Sequence, residues 1–396
     1  MENLGLSNKH SPDIVPAQQS ATFQVGREGM NAPGRSVSAE IRKWLMSVCG
    51  RGPVLMVAAL LVVCGTCTAN AAVALLLEEP FGQFGAMNPT GHAAVYLSHV
   101  CAEGPTHLRM CRPGEYGAVV SRYHKIDGYD WIAMPLIPYL YAVDDAAEVP
   151  AWVDPEQVTG LRDAYRRAHL EALAPDSKTG GAPRGEWIQL VGSSYDRKIY
   201  GFEVGTTAEQ DERFVALFND RKDVSHFNLF FHNCADFARV VLDTYIPDVV
   251  HRNFIADVGL TTPKQVARSL VKYGEKHPDV DVSSFVIPQV EVTVKRSHAV
   301  NGVTESLVKS KKYLIPMAIL TPHIMATVAV AYLVDGRLKM PHAEEFDLNQ
   351  AAVKPDEVAP LNLGPAPAQV ASDGGDGGGS LPGGPAAPGR TAALLR

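Results

Sequence analysis

Two long apolar runs, a central block of mixed period and two polar ends divide the chain. Residues 1–53 are polar and irregular, with Arg35, Arg42, Lys43 and Arg51 towards their end. An apolar run follows over 54–77, about the length that crosses a bilayer. It reads either as a signal anchor, with the preceding basic residues left on the inner side, or as a cleavable signal peptide. The small-x-small triplet Ala69–Asn70–Ala71 marks the cut for the second reading. A second apolar run, 313–335, is expected to be a transmembrane helix, since Pro316 and Pro322 are tolerated in such helices. Between them, 78–290 is expected to fold as one α+β domain and 291–312 to act as a basic linker. The Pro- and Gly-rich tail, 336–396, lacks the apolar periodicity that offsets ordering entropy and is expected to be disordered.

Inside the central block the period changes repeatedly. Gly82, Gly85 and Gly91 punctuate a loop, and the segment from His92 to Cys101 then reads as a mostly buried strand. A second strand follows from Gly117. Asp154 and Pro155 open a helix that carries Val158, Leu161, Tyr165, Ala168 and Ala172 at helical spacing. The segments 185–192 and 198–204 are expected to form a hairpin around Ser193–Asp196. Thr206 and Thr207 cap a further helix with acids in its first turn. Phe227, Phe230 and Phe231 are expected in the core. Asn233, with Asp236 three residues on, has the form of a capping box. Phe237, Val240, Val241 and Tyr245 recur on one face after it, so a helix starts at Cys234 and ends before Pro247.

Charge changes the picture little. A net charge of -7, spread along the chain, gives no footprint for nucleic acid. The six cysteines matter more. Cys49, Cys64 and Cys67 lie in or beside the first apolar run, where the formal CxxC of Cys64 and Cys67 is better read as membrane or signal sequence than as a metal site. Cys101 and Cys111 bracket a short polar stretch that can close as a disulfide in an oxidising compartment, which leaves Cys234 as the free thiol.

A thiol in the first turn of a helix meets unpaired backbone N–H groups and the positive end of the dipole. Both favour the thiolate, and the same N–H groups, at Asn233 and Cys234, can hold an oxyanion. Among the histidines, His92 is the expected base, because it opens a strand directly after a glycine-rich loop. His124, near the end of the next strand, is the expected orienter of its ring, with Ser121 a weaker choice. His99 falls on the other face of the strand from His92.

Gly91–His92 opening a strand, then Phe227–Asn228–Leu229 and Asn233–Cys234 opening a helix, resembles the circularly permuted NlpC/P60-like papain fold. That superfamily includes the lecithin retinol acyltransferase-like proteins and the periplasmic DUF4105 domains. The resemblance spans roughly Phe84 to Tyr245 and implies an antiparallel sheet packed on helices. It also implies a Cys234–His92 pair that attacks an amide, ester or thioester, with no metal or organic cofactor. With the apolar runs, the expectation is a membrane-associated, extracytoplasmic hydrolase or acyltransferase of the cell envelope, acting on cell-wall peptide or acyl-lipid. The alternative is a catalytically silent, envelope-anchored binding protein.

Overall fold

The computed structural model describes residues 71–82, 89–124, 126–292 and 296–357. The chain divides into two units, Met1–Cys67 and Thr68–Arg396, and all the described residues belong to the second. The polar region 1–53, most of the first apolar run including Cys64 and Cys67, and the tail from residue 358 lie outside them.

A seven-stranded sheet forms the middle layer. Its strands are β1 (Ala72–Glu78), β2 (His92–Leu97), β5 (Ala118–Ser121), β6 (Ile132–Pro135), β8 (Ile199–Gly205), β9 (Val282–Ile287) and β11 (Glu344–Glu345), in the order β11-β9-β8-β1-β2-β5-β6. Two small ribbons flank it: the hairpin of β3 (Val100–Gly104) with β4 (His107–Met110), and the parallel pair of β7 (Trp152–Val153) with β10 (Glu291–Val292). Neighbours within the large sheet run antiparallel except β9 and β11, which are parallel, so the sheet is mixed rather than wholly antiparallel.

Strand β1 shows why an apolar run need not be a membrane segment. Its side chains alternate between two cores: Val73, Leu75 and Leu77 enter one, Ala74 and Leu76 the other. A strand covered on both faces loses the polar alternation that would mark it as a strand, and its apolar residues then extend the hydrophobic pattern of whatever precedes it. Residues 72–77 of the expected signal segment are therefore the centre of the sheet. Ala71 is buried beside them and its carbonyl accepts the Thr206 N–H at 2.7 Å, so the bond after Ala71 lies at the buried start of β1.

Helices cover both faces. On the first lie α4 (Ala208–Asn219), α5 (Cys234–Tyr245) and α6 (Pro263–Lys276), which bring Phe214, Phe218, Phe237, Val241, Val266 and Leu270 against β1, β2 and β8. On the second lie α1 (Leu136–Tyr141), α2 (Pro155–His169) and α3 (Ser193–Asp196), with Tyr139, Tyr165 and Tyr195. Capping boxes at Asp154 and Thr207 start α2 and α4 as their sequences require. The expected hairpin over 185–204 does not form. Glu186–Leu190 is a 3-10 turn and Ser193–Asp196 a helical turn, because β8 takes its partners from β1 and β9 instead.

The second apolar run does not form one spanning helix. It is broken into α8 (Lys311–Leu320) and α9 (Pro322–Asp335), of 10 and 14 residues, with Thr321 between them at φ -140° and ψ 62°. Pro322 cannot supply an N–H to continue the first helix and excludes helical backbone at the residue before it. A crossing needs about 20 residues, and among the described residues no helix is long and apolar enough to cross a membrane. The expectation of apolar membrane segments flanking the domain is corrected on these two grounds.

The folded unit also extends past the bounds expected from composition. Within 291–312, α7 (Val303–Lys309) holds the buried Glu305, which accepts from Lys264 Nζ at 2.6 Å. Beyond 336, β11 and α10 (Leu348–Ala351) pack on the domain, and Val353 exchanges backbone hydrogen bonds with Gly114 and Glu115.

Candidate active site

Asn233 builds the start of α5. Its Oδ1 accepts from Ala235 N at 2.8 Å and Asp236 N at 3.0 Å, while Asp236 accepts the Asn233 N–H in return. The Asn233 amide donates to Leu229 O at 3.1 Å and Thr261 O at 3.2 Å. Asp236 further accepts from Thr261 Oγ1 at 2.7 Å and Arg252 at 3.2 Å. Both ends of the Asn233 side chain are thus occupied in fixing the helix against its flanking loops. Asn233 positions Cys234, and its side chain has no donor left over for a substrate.

Cys234 is the free cysteine among the described residues and is partly buried in the first turn of α5. The backbone N–H of Ala93 favours its thiolate, as do those of Ala235 and Cys234 itself. Burial outweighs them, and with the negative Glu78 nearby the thiol is pushed up to about 11. The helix start was expected to lower it. The dipole and N–H contributions are present, but removal from water penalises the anion more than they stabilise it.

His92 opens β2 opposite Glu78 of β1. Gly91 makes this possible: its backbone is left-handed at φ +72°, and a Cβ there would sit 2.1 Å from the Glu78 carbonyl oxygen. The His92 ring stacks on Tyr123 with centroids 5.3 Å apart, and its Nε2 lies 3.0 Å from Ser121 Oγ. Ser121 Oγ donates to Ala93 O at 2.8 Å. Burial pushes the imidazole down to about 4; Glu78 opposes the shift and Arg197 adds to it. Glu78 is fully buried, accepts from Tyr139 Oη and from Ser193 Oγ at 3.2 Å, and pairs with Arg197 at 2.9 Å.

The register places His92, Glu78 and Tyr123 on the second face of the sheet, whereas α5 covers the first face through Ala93 and Val95. Cys234 and His92 therefore do not meet across one face. Strand β2 pairs with β5 only from Val95 onwards, so the edge of β2 at Ala93 is open to side chains. There Ser121 occupies the Ala93 carbonyl and Cys234 faces the Ala93 N–H. Cys234 feels the charge of Glu78, and Tyr123 feels that of Cys234, and both Glu78 and Tyr123 lie against His92. Ala93 thus carries the thiol at its N–H and, through Ser121, the imidazole at its carbonyl.

The other expected residues fall elsewhere. His124 is exposed, with its ring 5.1 Å from that of Phe227, and the partners of His92 are Ser121 and Tyr123 instead. Strand alternation carries this distinction: Ser121 and Tyr123 share the face of His92, and His124 does not. Phe230 and Phe231 are 55% and 51% exposed rather than in the core. Cys101 and Cys111 form a disulfide across the β3–β4 hairpin, which removes their sulfurs from the one potential metal-ligand group among the described residues, Cys101, Cys111 and Glu115. A cavity of about 420 Å³ between α6, β9 and residues 338–341 is lined by neither Cys234 nor His92. Glu78 and Arg197 were not singled out from sequence, because only the β1–β2 and β1–β8 registers bring them to the histidine. No protein-family model, curated protein or solved structure matches this chain.

Proposed function

We propose that the domain is a cysteine-dependent acyl hydrolase or acyltransferase, in which Cys234 attacks the carbonyl of an amide, ester or thioester. The observation that carries this reading is the convergence at Ala93 of a helix-start thiol and an anchored imidazole. The order of a histidine strand followed by an Asn–Cys helix, noted in the sequence, supports it as well. In this reading the thiol proton passes to His92 past the open edge of β2 at Ala93 as the C–S bond forms. His92 then returns it to the leaving group, and water or an acceptor alcohol releases the acyl group. Backbone N–H groups at Ala93 and Cys234 supply the donors for the developing oxyanion. The Cys101–Cys111 disulfide supports an oxidising compartment.

With the thiol near 11 and the imidazole near 4, both groups rest uncharged at neutral pH. Proton transfer then accompanies attack rather than preceding it. The same neutrality favours a second reading, a silent domain in which Cys234 is a packed thiol. Intact-mass measurement after exposure to p-nitrophenyl acetate and to an acetyl thioester separates them. The expected result is one acetyl group on Cys234, absent in Cys234→Ala and slowed at least about 100-fold in His92→Gln. An unmodified Cys234, or modification indifferent to His92, leaves the silent domain.

A further inference from the structure

The hydrogen-bond directions around His92 deepen the proposed chemistry, and the inference rests on that reading only for its catalytic consequence. A serine hydroxyl has one proton to give and can accept in return. The Ala93 carbonyl lies on the edge of β2 that β5 has left, and Ser121 Oγ fills the vacant place as donor at 2.8 Å. With its proton committed there, Ser121 can meet His92 Nε2 at 3.0 Å only as an acceptor. The proton between them therefore belongs to the imidazole. A neutral imidazole carries one N–H, so Nδ1 holds the lone pair.

We propose that Ser121 is a positioning residue that fixes His92 as its Nε2–H tautomer, making Nδ1 the nitrogen that receives the Cys234 proton. The backbone carbonyl of Ala93 sets the direction of the Ser121 hydroxyl, and the hydroxyl sets the tautomer. Tyr123, stacked on the ring, limits its rotation. The assignment is specific to serine or threonine at position 121: alanine removes the acceptor, and the imidazole keeps only the weak intrinsic preference of a free histidine for Nε2–H.

The test uses the full chain with 15N-labelled histidine, at pH 7.5, with His92→Gln identifying the resonances. The expected wild-type pattern is a protonated Nε2 and an unprotonated Nδ1 at His92. Ser121→Thr retains the pattern; Ser121→Ala yields a mixture in which an Nδ1–H fraction appears, and acetylation of Cys234 slows roughly 10- to 100-fold. A protonated Nδ1 in the wild type, or a tautomer unaltered by Ser121→Ala, overturns the proposal. If Cys234 never acylates while the tautomer follows residue 121 as described, the positioning role stands and the acyl-transfer reading falls. Circular dichroism of Ser121→Ala and Ser121→Thr shows whether each has kept its fold, and Ser121→Thr provides the readout if Ser121→Ala has not.

Discussion

At the scale of single residues, the chemistry turns on how burial competes with local dipoles. His92 carries a direct consequence for stability. Its imidazole titrates at about 4 in the folded chain and near 6.5 when exposed. Between those values the unfolded chain binds a proton that the folded chain refuses. Stability from this group is thus complete above pH 6.5 and is lost as pH falls towards 4. Asp211, whose buried carboxyl is raised to about 6, has the opposite sign, contributing fully below 3.8 and losing its contribution as pH rises through 6. Denaturant unfolding at pH 7.5, 6 and 4.5 should therefore show a shallower acid loss in His92→Gln than in the wild type, and Asp211→Asn should steepen it. The sequence marked His92 and Cys234 because glycine before a strand and an asparagine cap are local signals. It did not reveal the cost of burial, which comes from Tyr123, Tyr139 and the sheet itself. Ser121 stood as the weaker orienter because adjacency along the chain says less than register: Tyr123 lies opposite His92 only once β5 runs beside β2.

Among elements, those closed by local chemistry were legible and those closed by distant partners were not. The caps Asp154, Thr207 and Asn233 each sit where the sequence places them, since a cap needs only the next three residues. The expected hairpin at 185–204 failed because β8 finds β1 and β9, more than seventy residues away on either side. The β3–β4 hairpin gives an element-scale test. Its disulfide closes a short loop, and chain-entropy arguments assign such a crosslink about 2–3 kcal/mol. Cys101→Ser and Cys111→Ser should each lower the urea midpoint by a corresponding amount, and wild-type protein in excess dithiothreitol should shift to the same place. A midpoint insensitive to both changes would mean that the hairpin is held by its ladder and by the Arg109–Glu115 pair alone.

For the whole molecule, the governing feature is a sheet with helices on both faces whose middle strand is the first one described. An apolar run in sequence does not say whether lipid or protein will cover it; Leu75 and Leu76, pointing into separate cores, are covered by protein. Leu75→Ala, at a fully buried position, should cost about 2–5 kcal/mol. Strand β1 has one neighbour at residues 92–97, but the other arrives only at 199–205. A ribosome must therefore emit more than a hundred further residues before the stickiest strand of the sheet can be paired on both edges. During that interval its backbone is an open template for strands of other chains. Refolding should accordingly be slow, on the millisecond-to-second scale typical of non-local β pairing, and its yield should fall steeply as protein concentration rises.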